Sequence, residues 1–253
     1  MSARSQEPGG RLVPSGAVLA DLRTKIYADG ADLEGILAFA DDPRISGFTT
    51  NPTLMRKAGI SDYETFARSL LEQISTHPIS FEVFADEEPE IRRQALMIRD
   101  WGPNVYVKIP VTTTRGEPLT GLVHELSSDG VQVNVTCLFT LAQVEAVTAA
   151  LAEGAPSNIS IFAGRIADTG VDPLPLVKDA LQVMADAPRA ECIWASTREV
   201  FNIFQANSIG CHIITVTHDV LNKLGDVGRD LEAYSLDTVR MFRRDAEAAG
   251  YKL

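Results

Sequence analysis

Eight short apolar runs recur along this 253-residue chain, each followed by a segment with apolar residues at helical spacing. The runs are Lys25–Asp29, Ser46–Thr50, Ile79–Phe84, Asn104–Val111, Val131–Thr136, Asn158–Phe162, Glu191–Ser196 and His212–Val216. The helical segments after them are Ala31–Ala40, Tyr63–Ser75, Glu88–Trp101, Leu119–Ser127, Leu141–Leu151, Pro173–Met184, Arg198–Ala206 and Val220–Leu224. Thr140 is placed to cap the fifth of these, and prolines stand in the first turn of the sixth, where they are tolerated. A further helix is expected over Val18–Arg23, and an amphipathic one over Leu231–Ala249.

Strands alternating with helices demand a parallel sheet, because parallel neighbours need a long crossover. Eight repeats fit a single (β/α)8 TIM barrel with an additional C-terminal helix. An open doubly wound sheet is the competing α/β architecture, but no Gly-rich dinucleotide fingerprint follows the first strand. No composition break divides residues 17–253, so they are expected to form one domain. Residues 1–16 carry Gly, Pro, Ser and Arg without the apolar core of a signal peptide, and are expected to be a disordered tail.

The net charge of −11 disfavours nucleic acid and anionic membrane as partners, so any phosphate binding must come from a local cluster of basic groups. No run of about 18 apolar residues exists to span a membrane. Cys137, Cys192 and Cys211 lie inside apolar segments without metal-ligand spacing. They are expected to be reduced core residues of a cytoplasmic protein.

Lys108 interrupts the fourth run, Asn104-Val105-Tyr106-Val107-Lys108-Ile109-Pro110-Val111. An amine stripped of hydration favours its neutral form, which attacks carbonyls and forms Schiff bases. The structural alternative is a stem packed in the barrel with its head in water or against a carboxylate. Barrel chemistry sits at the C-terminal ends of the strands. Those ends carry Asp29, Thr49-Thr50-Asn51-Pro52, Glu82, Lys108, Asn134 with Thr136, Ser160 with Arg165 beyond it, and Ser196-Thr197-Arg198. Desolvating so many polar and ionised groups around one mouth is costly, which argues against a purely structural origin.

Five of these stretches, Thr49-Thr50-Asn51-Pro52, Val107-Lys108-Ile109-Pro110-Val111, Asn134-Val135-Thr136, Gly164-Arg165-Ile166 and Ala195-Ser196-Thr197-Arg198, resemble the successive motifs of the transaldolase family. The similarity runs in register from about Lys25 to Leu224, and the length matches the compact branch that also contains the fructose-6-phosphate aldolases. The resemblance implies a metal-independent, cofactor-free class I enzyme that moves a dihydroxyacetone unit from a ketose phosphate to an aldose phosphate. It implies that Lys108 forms the Schiff base, Asp29 acts as general base, and Glu82 and Thr136 hold the proton-shuttling water. Asn51, Asn134 and Ser160 would bind the three-carbon unit, and Arg165, Ser196 and Arg198 the phosphate. Arg165 and Arg198 have an alternative as ion-pair partners of Asp168 or Glu199. Compact members assemble as pentamers or decamers, so a homo-oligomer is implied.

Glu82 and Phe162 resemble true transaldolases, whereas the free aldolases typically carry Gln and Tyr there. Phe162 lacks a hydroxyl that would orient the hydrolytic water, which favours transfer over release; it also suits barrel packing. An aldolase releasing the three-carbon unit, and a non-catalytic sugar-phosphate-binding barrel, are the competing functions. The chain departs from the family pattern at Thr197, at Asp29-Gly30 and in the loop Thr113–Pro118. His212 is expected to be a core histidine, and His218 to start the last barrel helix.

Overall fold

The computed structural model describes Leu19 and residues 21–252, so the expected tail lies outside the described residues. Contacts divide the described residues into a unit holding Arg23–Asn222 and a second that includes Asp21, Leu22 and residues 223–252. In the first unit, eight parallel strands close in sequence order into a barrel. They are β1 (Lys25–Asp29), β2 (Ile45–Thr49), β3 (Ile79–Glu82), β4 (Val105–Pro110), β5 (Val133–Leu138), β6 (Ser157–Ile161), β7 (Ala190–Trp194) and β8 (Ile213–Thr217). Helices α1 (Leu33–Ala40), α2 (Pro52–Lys57), α3 (Tyr63–Gln73), α4 (Glu88–Arg99), α5 (Thr120–Ser128), α6 (Leu141–Leu151), α7 (Ala163–Asp168), α8 (Pro173–Val183), α9 (Phe201–Ser208) and α10 (His218–Leu221) connect them. This is the (β/α)8 barrel that the alternation predicts.

Side chains alternate across each strand, so one parity faces the helices and the other the barrel interior. Val107, Ile109, Val133, Val135, Ile159 and Ile161 take the first parity and are fully buried. Each contributes about 1.5–3 kcal/mol by leaving water. Lys108, Asn134 and Ser160 take the other. The interior near the C-terminal ends is therefore polar, which is how a barrel reserves space for a site.

Several boundaries differ from expectation, each for a local reason. Of the helix expected over Val18–Arg23, the described residues form turn and coil. β3 stops at Glu82 because Phe84 N–H leaves the ladder for Gln94 Oε1 at 2.8 Å, and the Phe84 ring is 53% exposed. α9 starts at Phe201 because Asn202 Oδ1 takes the Arg198 and Glu199 amides, at 2.9 and 3.2 Å, before the helix begins. The helix expected to Leu224 is α10, continued by a 3-10 turn over Asn222–Asp226. α2 and α7, each six residues, were not expected. Asn51 caps α2 by accepting from Leu54 N–H, and Pro52 opens its first turn, so Asn51-Pro52 ends a strand and starts a helix together.

In the second unit, α11 (Leu231–Ala248) is capped by Asp230, whose carboxylate accepts from Ala233 N–H at 2.9 Å. Leu231, Leu236, Val239 and Phe242 on it are exposed. Among the described residues no helix is long and apolar enough to cross a membrane.

Candidate active site

Register brings three polar side chains level with one another: Glu82 on β3 pairs with Lys108 on β4, and Lys108 with Asn134 on β5. Lys108 is 8% exposed, and its Nζ donates to the Thr50 carbonyl at 3.0 Å and stands 3.7 Å from Glu82 Oε2. Burial raises the Glu82 pKa, with the Lys108 charge pulling it back and Asp29 adding to the rise.

Asp29, at the end of β1, lines the same cavity as Lys108 and Glu82. Thr49 Oγ1 donates to one carboxylate oxygen at 2.8 Å and Asn51 Nδ2 to the other at 3.3 Å. Asp29 is half-buried and lines the cavity, and desolvation raises its pKa against the opposing pull of Lys108. Asn51 is engaged at both ends of its amide, because its Oδ1 caps α2. Asn134 is fixed likewise: its Nδ2 donates to Ser80 Oγ at 2.9 Å, and its Oδ1 accepts from Ser160 Oγ at 2.7 Å. Thr136, fully buried beside a bulge in β5, has a hydroxyl with no protein partner. Cys137 in that bulge has φ +65°, and its half-buried thiol is pushed up by desolvation.

The far wall is cationic. Arg165 on α7 lies 5.5 Å over the Phe162 ring, which packs on Phe139 at 5.6 Å. Arg198 pairs with Asp168, Nε to Oδ1 at 3.0 Å, which realises one of its two expected ion-pair alternatives. Arg165 makes no ion pair among the described residues. Gly164 presses α7 against the turn after β7: a Cβ there would lie 1.6 Å from the Ser196 carbonyl oxygen. Ser196 itself has φ +67°, a left-handed conformation that costs a serine energy and often marks function.

All eleven nominated residues line one cavity of about 350 Å³: Lys108, Asp29, Glu82, Thr136, Asn51, Asn134, Ser160, Phe162, Arg165, Ser196 and Arg198. Thr49, Thr53, Cys137, Thr197, Thr215 and Thr217 also line it and were not nominated. Strand parity was the signal for Thr49, Thr215 and Thr217; nothing in the sequence marked Cys137. A larger hollow, about 650 Å³, lies by the N-terminal ends of β4 to β6 among Arg99, Gln132, Gly154 and Arg189, without a buried amine or carboxylate pair. His212 accepts from Cys192 N–H at 2.9 Å as a structural histidine, and His218 opens α10. All three cysteines are free; Cys192 and Cys211 are buried. Among the described residues no group of three His, Cys, Asp or Glu side chains is placed to hold a metal.

A lysine flanked by two carboxylates at the C-terminal mouth of a (β/α)8 barrel is a constellation for carbonyl chemistry. Residues 26–253 match the model of the transaldolase/fructose-6-phosphate aldolase family. A Dehalococcoides mccartyi protein named "Probable transaldolase" is 35% identical over 201 residues, 79% of this chain and 89% of its own length. A Streptococcus equi subsp. zooepidemicus protein of the same name is 36% identical over 202 residues, 79% and 89% of the two chains. The chain belongs to the transaldolase/fructose-6-phosphate aldolase family. Among solved structures, dihydrodipicolinate synthase from Rhodopseudomonas palustris shares the fold, with TM-score 0.56 and 14% identity over 88% of this chain and 79% of that one.

Proposed function

We propose that the chain is a transaldolase transferring a dihydroxyacetone unit from fructose 6-phosphate or sedoheptulose 7-phosphate to an aldose phosphate. The observation that carries this reading is the buried Lys108 amine, 3.7 Å from Glu82 and within the electrostatic reach of Asp29. The neutral amine attacks the ketone carbon, and the oxygen takes a proton to give a carbinolamine. Loss of water leaves an iminium ion, with Glu82 and Thr136 holding the water that moves these protons. The unpartnered Thr136 hydroxyl supports such a water.

Asp29 then takes the C4 hydroxyl proton. The C3–C4 bonding pair flows into the iminium, an aldose leaves, and an enamine remains on Lys108. That enamine attacks the acceptor aldehyde, Asp29 returns the proton to the new hydroxyl, and hydrolysis frees the lysine. The iminium is the electron sink, so the scheme calls for no metal and no cofactor. Asn51, Asn134 and Ser160 hold the three-carbon unit, with the Asn51 amide also against the Asp29 carboxylate, and Arg165, Ser196 and Arg198 take the phosphate.

Glu82 and the hydroxyl-free Phe162 support transfer over release of free dihydroxyacetone. A silent barrel would have no need of a desolvated amine with two carboxylates raised in pKa. The reading includes a cytoplasmic homo-oligomer, pentamer or decamer, in which the exposed apolar residues of α11 meet a neighbouring copy. Borohydride reduction in the presence of fructose 6-phosphate tests the chemistry. The expected product is a reduced three-carbon adduct on Lys108 and none in Lys108→Ala; a labelled chain without Lys108, or no label where a known transaldolase is labelled, sinks the reading. Product analysis with and without an acceptor aldehyde separates transfer from release.

A further inference from the structure

A parallel ladder has a fixed grammar: a residue whose N–H bonds carbonyl j−1 of its neighbour gives its own carbonyl to the N–H of j+1. Phe48 N–H follows it at the start of β3, donating to Pro78 O at 2.9 Å. At the mouth the rule breaks. Thr50 N–H donates to Ser80 O at 3.3 Å, so the Thr50 carbonyl should receive the N–H of Glu82. It receives Lys108 Nζ instead, at 3.0 Å. The Glu82 N–H turns to the hydroxyl of Tyr63, at 2.6 Å.

A backbone N–H left without a partner in this half-buried place would cost about 1–3 kcal/mol, and the ladder bond would re-form to avoid it. Tyr63 removes that pull. Its ring is locked in an aromatic cluster, 4.6 Å from Phe84, 5.5 Å from Trp101 and 6.1 Å from Phe81. The hydroxyl is therefore delivered to one spot by packing from α3, an element that contributes nothing to the cavity lining. Burial pushes the phenol pKa up, so the group stays a neutral hydrogen-bond partner.

We propose that Tyr63 is a positioning residue for Lys108: by satisfying the Glu82 amide it keeps the β2–β3 ladder open and reserves the Thr50 carbonyl for the reacting amine. This role rests on the reading of Lys108 as the Schiff-base lysine. The amine held on that carbonyl keeps one direction, and the Glu82 carboxylate, whose backbone Tyr63 anchors, stays facing it. Positional freedom of a nucleophile by even an ångström costs rate without weakening substrate binding.

The test is Tyr63→Phe, which keeps the ring in its cluster and removes one oxygen, with Tyr63→Leu as a control that also removes the ring. Expected for Tyr63→Phe are a kcat and a rate of borohydride trapping at least tenfold lower, a donor KM within twofold, and a melting temperature within a few degrees of the parent chain. Tyr63→Leu should lose a similar factor in kcat and much more in melting temperature. Trapping of Lys108 in the parent with an unchanged rate in Tyr63→Phe overturns the role of Tyr63 alone. So does a kcat loss that appears only in the destabilised Tyr63→Leu chain. Absence of trapping in the parent chain overturns the reading of Lys108 and this role with it.

Discussion

Glu82 Oε2 lies 3.7 Å from Lys108 Nζ across a single β3–β4 register pair, close enough to attract and slightly too far for a direct hydrogen bond. That spacing suits a carboxylate that exchanges protons with the amine through water rather than one that holds it as a permanent ion pair. Glu82→Gln keeps the shape and removes the proton acceptor. The expected outcome is a kcat about 100-fold lower with a smaller change in KM, since a positioned general acid–base group contributes about 10²–10⁴-fold. Steady-state kinetics together with trapping rates check it; retention of most of the parent kcat would remove Glu82 from proton transfer.

Asp29 carries an opposite demand on stability and chemistry. Its folded pKa stands above the ordinary value of 3.8, chiefly through desolvation. The folded chain thus binds this proton more tightly than the unfolded chain does. Stability from the group is full below the ordinary value and is lost as pH rises through the raised one. Asp29→Asn is expected to lower kcat by about 10²–10⁴-fold, yet to melt higher than the parent at pH 7. The gap should close as pH falls toward the ordinary carboxylate range. Melting curves from pH 4 to pH 8 decide this; a variant that melts lower at pH 7 shows that the charge is stabilised overall. The acid limb of the parent pH–rate profile should likewise lie above the ordinary carboxylate range.

Much of this site was legible before any coordinates because barrel strands present their C-terminal ends to one place. Polar residues such as Asp29, Asn134 and Ser160, set at or near the ends of largely apolar runs, marked that place. Register pairs such as Glu82 with Lys108 follow once the strands are aligned. Contacts made by backbone atoms were beyond reach: no residue type announces that the Thr50 carbonyl faces an amine. Tyr63 stood out only as the first residue of a helical segment, because helical spacing says nothing of what a hydroxyl at the tip of a ring will reach. The short helices α2 and α7, at six residues each, span fewer than two turns and leave no repeating apolar face to read, although Asn51-Pro52 did contain a cap and a first-turn proline.

Gly164 and Ser196 share a contact that fixes the cationic wall. A methyl group on Gly164 would meet the Ser196 carbonyl oxygen at 1.6 Å and its carbon at 2.7 Å, both backbone atoms that cannot swing aside. Gly164→Ala must therefore separate α7, with Arg165, from the turn that carries Ser196 and Arg198. The expected result is a KM at least tenfold higher for phosphorylated donors and little change for unphosphorylated ketoses. Arg198→Ala should show the same selectivity. Its pairing with Asp168 is exposed and screened by solvent, and thus easily exchanged for a phosphate. Equal effects on both substrate classes would remove the phosphate assignment.

Gly30 is explained by His218. Its backbone is not left-handed, so conformation does not require glycine there. Space does: a Cβ would lie 2.6 Å from His218 Nε2 and 2.8 Å from Cε1. The ring is held by Phe39, 4.9 Å between centroids, and its Nδ1 is 3.8 Å from Asp32, so it has limited room to retreat. Because Gly30 follows Asp29 directly, displacement here reaches the Asp29 carboxylate. Gly30→Ser is expected to cost about 1–3 kcal/mol, as overpacking in a filled site does, and to lower kcat. His218→Ala should remove the obstacle, so the double variant Gly30→Ser with His218→Ala should recover most of that stability relative to His218→Ala alone. A double-mutant cycle from denaturation midpoints measures the coupling. If the serine costs the same with and without the imidazole, the two positions are independent and the departure at Gly30 has another cause.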